Sequence, residues 1–266
     1  MSQTFLSDSE QRVLRRAVSI LERESFVAKL TELTGEPVTR IMKMLPKVAS
    51  NGIHRAVQTA LNQALGVALN GLDREHAFEV APWAFQAISG ITGGAGGFFG
   101  MPGLLVELPV TTILILRSVA TIARRRGEDL SDPAVRLACL EVLALGPKGR
   151  RGLVAETSYY AARTFLAKTV SEAAANFLER GVTNTAAPAI VDLVSSVGAR
   201  FGTAVSEKTA AGAIPVIGAI GGAAINLAFM NHFQKLAWAH FSVRWLERKH
   251  GADPIRQHYE RMLRRK

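Results

Sequence analysis

Residues 53–70, IHRAVQTALNQALGVALN, carry Ile53, Val57, Ala60, Leu61, Ala64, Leu65, Val67 and Ala68 at helical spacing. Such spacing gathers apolar side chains on one face of a 3.6-residue helix, and Asn70-Gly71 supplies a stop. The same period recurs on both sides. Upstream, Ser7 followed by Glu10 makes a capping box. The stripe Leu14, Ala17, Val18 and Leu21 resumes at Val27 and Leu30 until Gly35, which predicts one first helix. Pro37 and Pro46 stand where further helices begin. Downstream, Asp132 as N-cap with Pro133 in the first turn opens a short helix ending at Gly146. Tyr159, Ala162, Leu166, Val170, Ala173 and Phe177 line one face of a helix over 155–181, and two more run over 223–248 and 253–264. No β-branched run alternates at period two between hairpin turns. The prediction is all-α: a compact multi-helix domain over 50–248 with glycine-rich hydrophobic hairpins at its centre. An amphipathic helical extension over 1–49 precedes it, and a basic helical tail over 249–266 follows.

With 266 residues, 48% hydrophobic and 20% charged, the chain can bury a real core, which excludes disorder, collagen-like repetition and a disulfide mini-scaffold. The single cysteine, Cys139, removes a disulfide framework or a Cys-based zinc site. Its neighbours Leu137, Ala138, Leu140 and Val142 make it a small buried thiol. The opening residues mix Glu10, Arg12, Arg15 and Arg16 into the apolar pattern without a signal-peptide core, so a cytoplasmic location is expected.

Thirty-two Lys and Arg against 22 Asp and Glu give a net charge of +10, which draws a protein toward phosphate on nucleic acid or anionic lipid. Much of the excess lies at the C-terminal end, in Lys235, Arg244, Arg248, Lys249, Arg256, Arg261, Arg264, Arg265 and Lys266. A second cluster is Arg124, Arg125 and Arg126, and a third Lys148, Arg150 and Arg151. Each reads either as a solvated helix end suited to the macrodipole or, if the clusters share a face, as an anion-binding surface.

Two stretches depart from amphipathic helices. From Val80 to Val106 there is no charged residue, nor from Leu108 to Leu116; Thr209 to Gln234 is uncharged apart from His232. Both are rich in glycine, although a helical glycine costs about 1 kcal/mol relative to alanine. Gly90/Gly94, Gly93/Gly97, Gly96/Gly100 and Gly218/Gly222 have the four-residue spacing that aligns glycines along one helix face, and with Gly221 they are candidates for close backbone approach. Residues 103–122 form the best candidate for a membrane span, yet they hold Glu107, Pro109 and Arg117, and Pro102 and Pro109 divide the apolar run. A buried central hairpin, a reversible membrane-facing element and true insertion all remain open.

Gly90-Ile91-Thr92-Gly93-Gly94-Ala95-Gly96-Gly97, then Gly103 to Pro109, then Leu114-Ile115-Leu116-Arg117-Ser118-Val119-Ala120, resemble the EcsC protein family in that order. So do Ile214 to Ala223 with Asn226 following, and Leu143-Ala144-Leu145-Gly146. The likeness covers roughly residues 50–245. It implies a family named for a bacterial protein encoded beside an ABC transporter, with no established biochemical activity and a protease label on some members. The family's acidic-Leu/Ile-Pro motif looks similar to Glu107-Leu108-Pro109, and its arginine to Arg117.

Known chemistries find little footing. The glycines miss the dinucleotide fingerprint, Gly146, Lys148 and Gly149 miss the P-loop spacing, and no His-Glu-x-x-His is present. His232 and His240, like His250 and His258, lie eight residues apart, too far for one ion on a straight helix. His76 and Glu79 read as a surface hydrogen bond. No catalytic motif, cofactor or metal site is therefore expected. Glu107 is the residue to follow: a carboxylate in an apolar helix must cap free N–H groups, accept from His232 or a basic side chain of another helix, or serve a ligand. Glu107, Arg117, Asn226 and His232 are the candidate ligand-binding set. Nucleic acid is not the expected partner, because aromatics make up only 7% and do not interleave with the basic clusters. An anionic membrane surface or lipid suits the pattern better, with Phe98, Phe99, Trp238 and Trp245 at headgroup depth. A hydrophobic-ligand carrier or a hydrolase with a pocket around Glu107, and a structural partner of an ABC transporter, are the alternatives.

Overall fold

The computed structural model describes residues 6–44, 47–70, 72, 100–145, 159–180, 187–213 and 218–264. Ten helices make up these residues: α1 (Asp8–Glu22), α2 (Phe26–Thr34), α3 (Val38–Met44), α4 (Lys47–Asn70), α5 (Gly100–Arg125), α6 (Pro133–Ala144), α7 (Tyr159–Arg180), α8 (Pro188–Gly212), α9 (Gly218–His250) and α10 (Ala252–Arg264). No strand occurs among them, so the all-α expectation holds.

The caps form where the sequence puts them. Ser7 and Glu10 close a reciprocal capping box on α1, and Gly35 ends α2 in the left-handed conformation at φ 69°. Asp132 accepts from the Ala134 N–H at 2.8 Å with Pro133 in the first turn of α6. Asp132→Ala is expected to lower stability by about 1 kcal/mol, read as a shift of the urea midpoint, because that N–H loses its acceptor.

Three boundaries differ from expectation. The single first helix is two, α1 and α2, because Ser25 takes an extended conformation and its hydroxyl caps the Ala28 N–H, restarting the helix. Pro109 does not divide the apolar run: α5 passes through it unbroken. A proline within a helix forfeits one backbone hydrogen bond, and the tightly packed surroundings of buried Pro109 hold the helix together across it. Third, α8 occupies residues to which the sequence reading assigns no element before Thr209.

The 33-residue α9 is the spine, packing against α1, α2, α5, α6, α8 and α10. On its other side α5 lies along α4, and α8 crosses α4 closely. A Cβ on Gly198 of α8 would meet Leu61 Cδ1 at 3.3 Å, so glycine is what permits this approach. Gly218, Gly221 and Gly222 sit in the opening turns of α9, while Gly93, Gly94, Gly96 and Gly97 lie outside the described residues. Residues 106–125 are apolar and long enough to cross a membrane, but 61% of that window is buried within the protein. Helix α5 is thus packed as a core helix, with Leu108, Ile115, Leu116 and Val119 fully enclosed.

Candidate anion-binding cleft

Glu107 finds a partner on another helix. Lys208 of α8 donates to both of its carboxylate oxygens at 2.8 Å, and the Thr111 hydroxyl, one turn along α5, also donates to it. Both charged side chains are only 9% exposed, and the ammonium lies 5.0 Å from the ring centroid of Phe229. Burial pulls the Lys208 pKa below its usual value, and the carboxylate opposes the shift. Of the acceptance partners considered for Glu107, the basic side chain is the one found, and His232 is engaged elsewhere. Its imidazole stacks on Phe26 at 4.8 Å and meets Phe233 edge-on. Burial holds its pKa down to about 3, so it is neutral at physiological pH. Arg117 sits half-buried ten residues farther along α5, and Asn226 is fully buried on α9. Two of the four candidate ligand residues thus lie on α5 and two on α9.

The C-terminal basic residues are largely spoken for inside the fold. Arg244 makes a two-pronged pair with Glu128 at 2.9 Å for each contact, and Arg248 joins the same carboxylate while reaching the Arg126 carbonyl. Lys249 and His250 hold Glu10 at 2.7 and 3.0 Å. Those two side chains and the Ser7 N–H keep the Glu10 carboxyl well below the ordinary carboxylate range. Trp245 is half-buried, with Lys249 5.7 Å from its ring centroid. Arg264 is exposed at the end of α10, and Arg265, Lys266, Phe98 and Phe99 lie outside the described residues.

Part of the basic charge gathers in a cleft where α1, α5 and α9 meet. Each helix contributes one face: Arg16 and Ile20 of α1, Ile122, Arg125 and the following Arg126 at the end of α5, and Gln234, Lys235 and Trp238 of α9. These are spacings of three or four residues, which align side chains on a helix. The cleft encloses about 450 Å³. Arg16 and Arg126 each set a guanidinium over the Trp238 ring, 4.8 and 5.0 Å from its centroid. Among the described residues, no carboxylate pairs with Arg16, Arg125 or Arg126, whereas Lys235 meets Glu24 at 2.8 Å. Burial lowers the Arg126 pKa with no acid to oppose it. The backbone also supports the arrangement: the turn after α5 closes at Gly127, φ 78°, and Arg248 donates to the Arg126 carbonyl. Gln234 is fixed by donating to Ser118 Oγ at 2.7 Å. The walls of Ile20, Ile122 and Trp238 are apolar, so the cleft presents excess positive charge beside a hydrophobic surface. Sequence reasoning found Arg125, Arg126 and Trp238 but not Arg16, although its place four residues before Ile20 on an apolar-striped helix was visible.

A second cluster was not anticipated. All three tyrosines of the chain, Tyr159, Tyr160 and Tyr259, pack together in the core. Glu22 accepts from the Tyr159 N–H at 2.8 Å and from the Tyr259 hydroxyl at 2.9 Å. Tyr159 shares a hydrogen bond of 3.0 Å with His240 Nδ1, and Arg163 and Tyr160 donate to Glu247. Glu141 of α6 is buried near Arg163 and Arg244, and burial pushes its pKa up to about 7. Glu141 escapes a sequence reading because it sits in the run LACLEVLAL, residues 137–145, whose pattern announces only a core helix. Cys139 on the same helix is fully buried, and its thiol is pushed up to about 12.

No curated protein and no solved structure matches the chain. A family model does, and it begins earlier than the motifs suggested, taking in most of α1 and with it Arg16 of the cleft. Matched over residues 11–246, the chain belongs to the EcsC protein family.

Proposed function

We propose that this protein associates peripherally with membrane at the cytoplasmic face, taking the anionic headgroup of a lipid into the cleft between α1, α5 and α9. The observation that carries this reading is the set of three guanidiniums, Arg16, Arg125 and Arg126, gathered around Trp238 and two isoleucines with no carboxylate partner among the described residues. Guanidinium forks suit phosphate, and an indole beside aliphatic side chains suits the boundary between headgroup and acyl chain. The pairing of Glu107 with Lys208 supports a structural duty for that carboxylate, joining α5 to α8, so the reading does not place chemistry there.

Vesicle flotation tests the proposal. The protein is expected to float with phosphatidylcholine vesicles containing phosphatidylglycerol and to remain behind with phosphatidylcholine alone, with recovery falling as salt rises. The variant Arg16→Glu/Arg125→Glu is expected to lose most of the flotation. Both residues are exposed, so the fold should survive, and circular dichroism checks that it does. Equal flotation on neutral and anionic vesicles would sink the proposal; flotation of neither would favour a protein partner in the membrane.

A further inference from the structure

The cleft's charge count carries the reading further. Its four cations line three helices, and among the described residues the only carboxylate paired with any of them is Glu24, on Lys235. Three positive charges therefore stand in about 450 Å³ without a counter-charge among the described residues. Two of the three guanidiniums are already laid over the Trp238 ring, so their planar forks are partly ordered before a ligand arrives. Arg126 is held further by the tie from Arg248 to its carbonyl. A phosphodiester brings one negative charge, leaving two cations of the cleft unmatched. A phosphomonoester brings a charge of about −1.5 to −2 at pH 7 and three acceptor oxygens. The guanidiniums favour its fully ionised form.

We infer that the Arg16–Arg125–Arg126–Lys235 cleft selects a terminal phosphomonoester over a phosphodiester. This rests on the anionic-ligand reading given above and names the class of ligand. Ile20, Ile122 and Trp238 stand beside the cations, where the glycerol and first methylenes of a monoester lipid would lie. The same charge logic would admit a soluble phosphomonoester, so the test separates the two sources.

Calorimetric titration of the full chain with short-chain, water-soluble dihexanoyl phosphatidate, dihexanoyl phosphatidylglycerol and glycerol 3-phosphate decides the matter. Phosphatidate is expected to bind about tenfold or more tightly than phosphatidylglycerol, the scale on which charge-assisted guanidinium contacts act. Arg16→Gln and Arg125→Gln, exposed positions that leave the core untouched, are expected to bring that ratio close to one. Raising the pH from 5.5 to about 7.5 is expected to tighten phosphatidate and leave phosphatidylglycerol unchanged, since only the monoester has a second ionisation near pH 6. If glycerol 3-phosphate binds as tightly as phosphatidate, the monoester preference stands and the lipid reading falls. Equal affinity for the two lipids overturns the preference while anionic vesicle flotation can still stand. Absence of binding by all three compounds overturns the inference.

Discussion

Lys208→Met is expected to destabilise the protein by about 3–5 kcal/mol, the cost of leaving a buried carboxylate without its cation. Glu107 then keeps only the Thr111 hydroxyl among its observed donors, in a place where its side chain is 9% exposed. Urea unfolding followed by circular dichroism reads the loss as a lower midpoint. The double variant Glu107→Gln/Lys208→Met is expected to recover most of it, because the remaining amide is neutral and Thr111 can still donate to its oxygen. The contrast separates two meanings of Glu107. If it is a structural anchor, the double variant regains stability and floats on anionic vesicles like the parent; a folded double variant that no longer floats would return Glu107 to the binding site.

Glu141→Gln is expected to change how stability varies with pH. The Glu141 carboxyl moves from 4.5 to about 7 because burial penalises its charged form, a penalty that Arg163 and Arg244 only partly offset. Its folded pKa lies above its unfolded one, so its contribution is complete below pH 4.5 and is lost as pH rises through 7. The shift corresponds to about 3 kcal/mol of declining stability across that window. In the glutamine variant this contribution disappears, and its stability relative to the parent improves from pH 5 to about 7 and levels off above that. Glu10 works in the opposite sense, its lowered carboxyl contributing fully above the unfolded value and fading as pH falls below it. His232 and His240, held neutral by burial, add stability as pH rises through the ordinary imidazole value, equally in both proteins, so the difference between the two profiles is what isolates Glu141. Parallel pH profiles for the two proteins would mean that Glu141 is not held neutral in the fold.

Glu107 and Glu141 show why sequence reading reached one buried carboxylate and passed over the other. Glu107 interrupts a long uncharged stretch beside a family motif, so it stands out; Glu141 hides in an ordinary core helix. For Glu107 the sequence could say that a partner was required but not which one. Lys208 lies 101 residues away, on a helix with no sequence assignment at that point. The basic C-terminal end shows the same limit. Counting charges there suggested a surface, but Glu128, 116 residues before Arg244, and Glu10, 239 before Lys249, take up much of it.

What the sequence by itself determined was local: the helical period, the caps at Ser7, Asp132 and Gly35, the apolar faces, and membership of a family. Hydrogen bonds from residue i to i−4 and side-chain rows at three and four residues are short-range, so a linear pattern encodes them directly. Only the tertiary structure decided that Pro109 lies within a continuous helix, which cations are neutralised, and that Arg16, Arg126 and Trp238 converge. The reason is that charge is additive along a chain while its availability depends on distance. A guanidinium facing Glu128 and one facing an open cleft have the same sequence signature, and packing of α1 and α5 against α9 is what separates them.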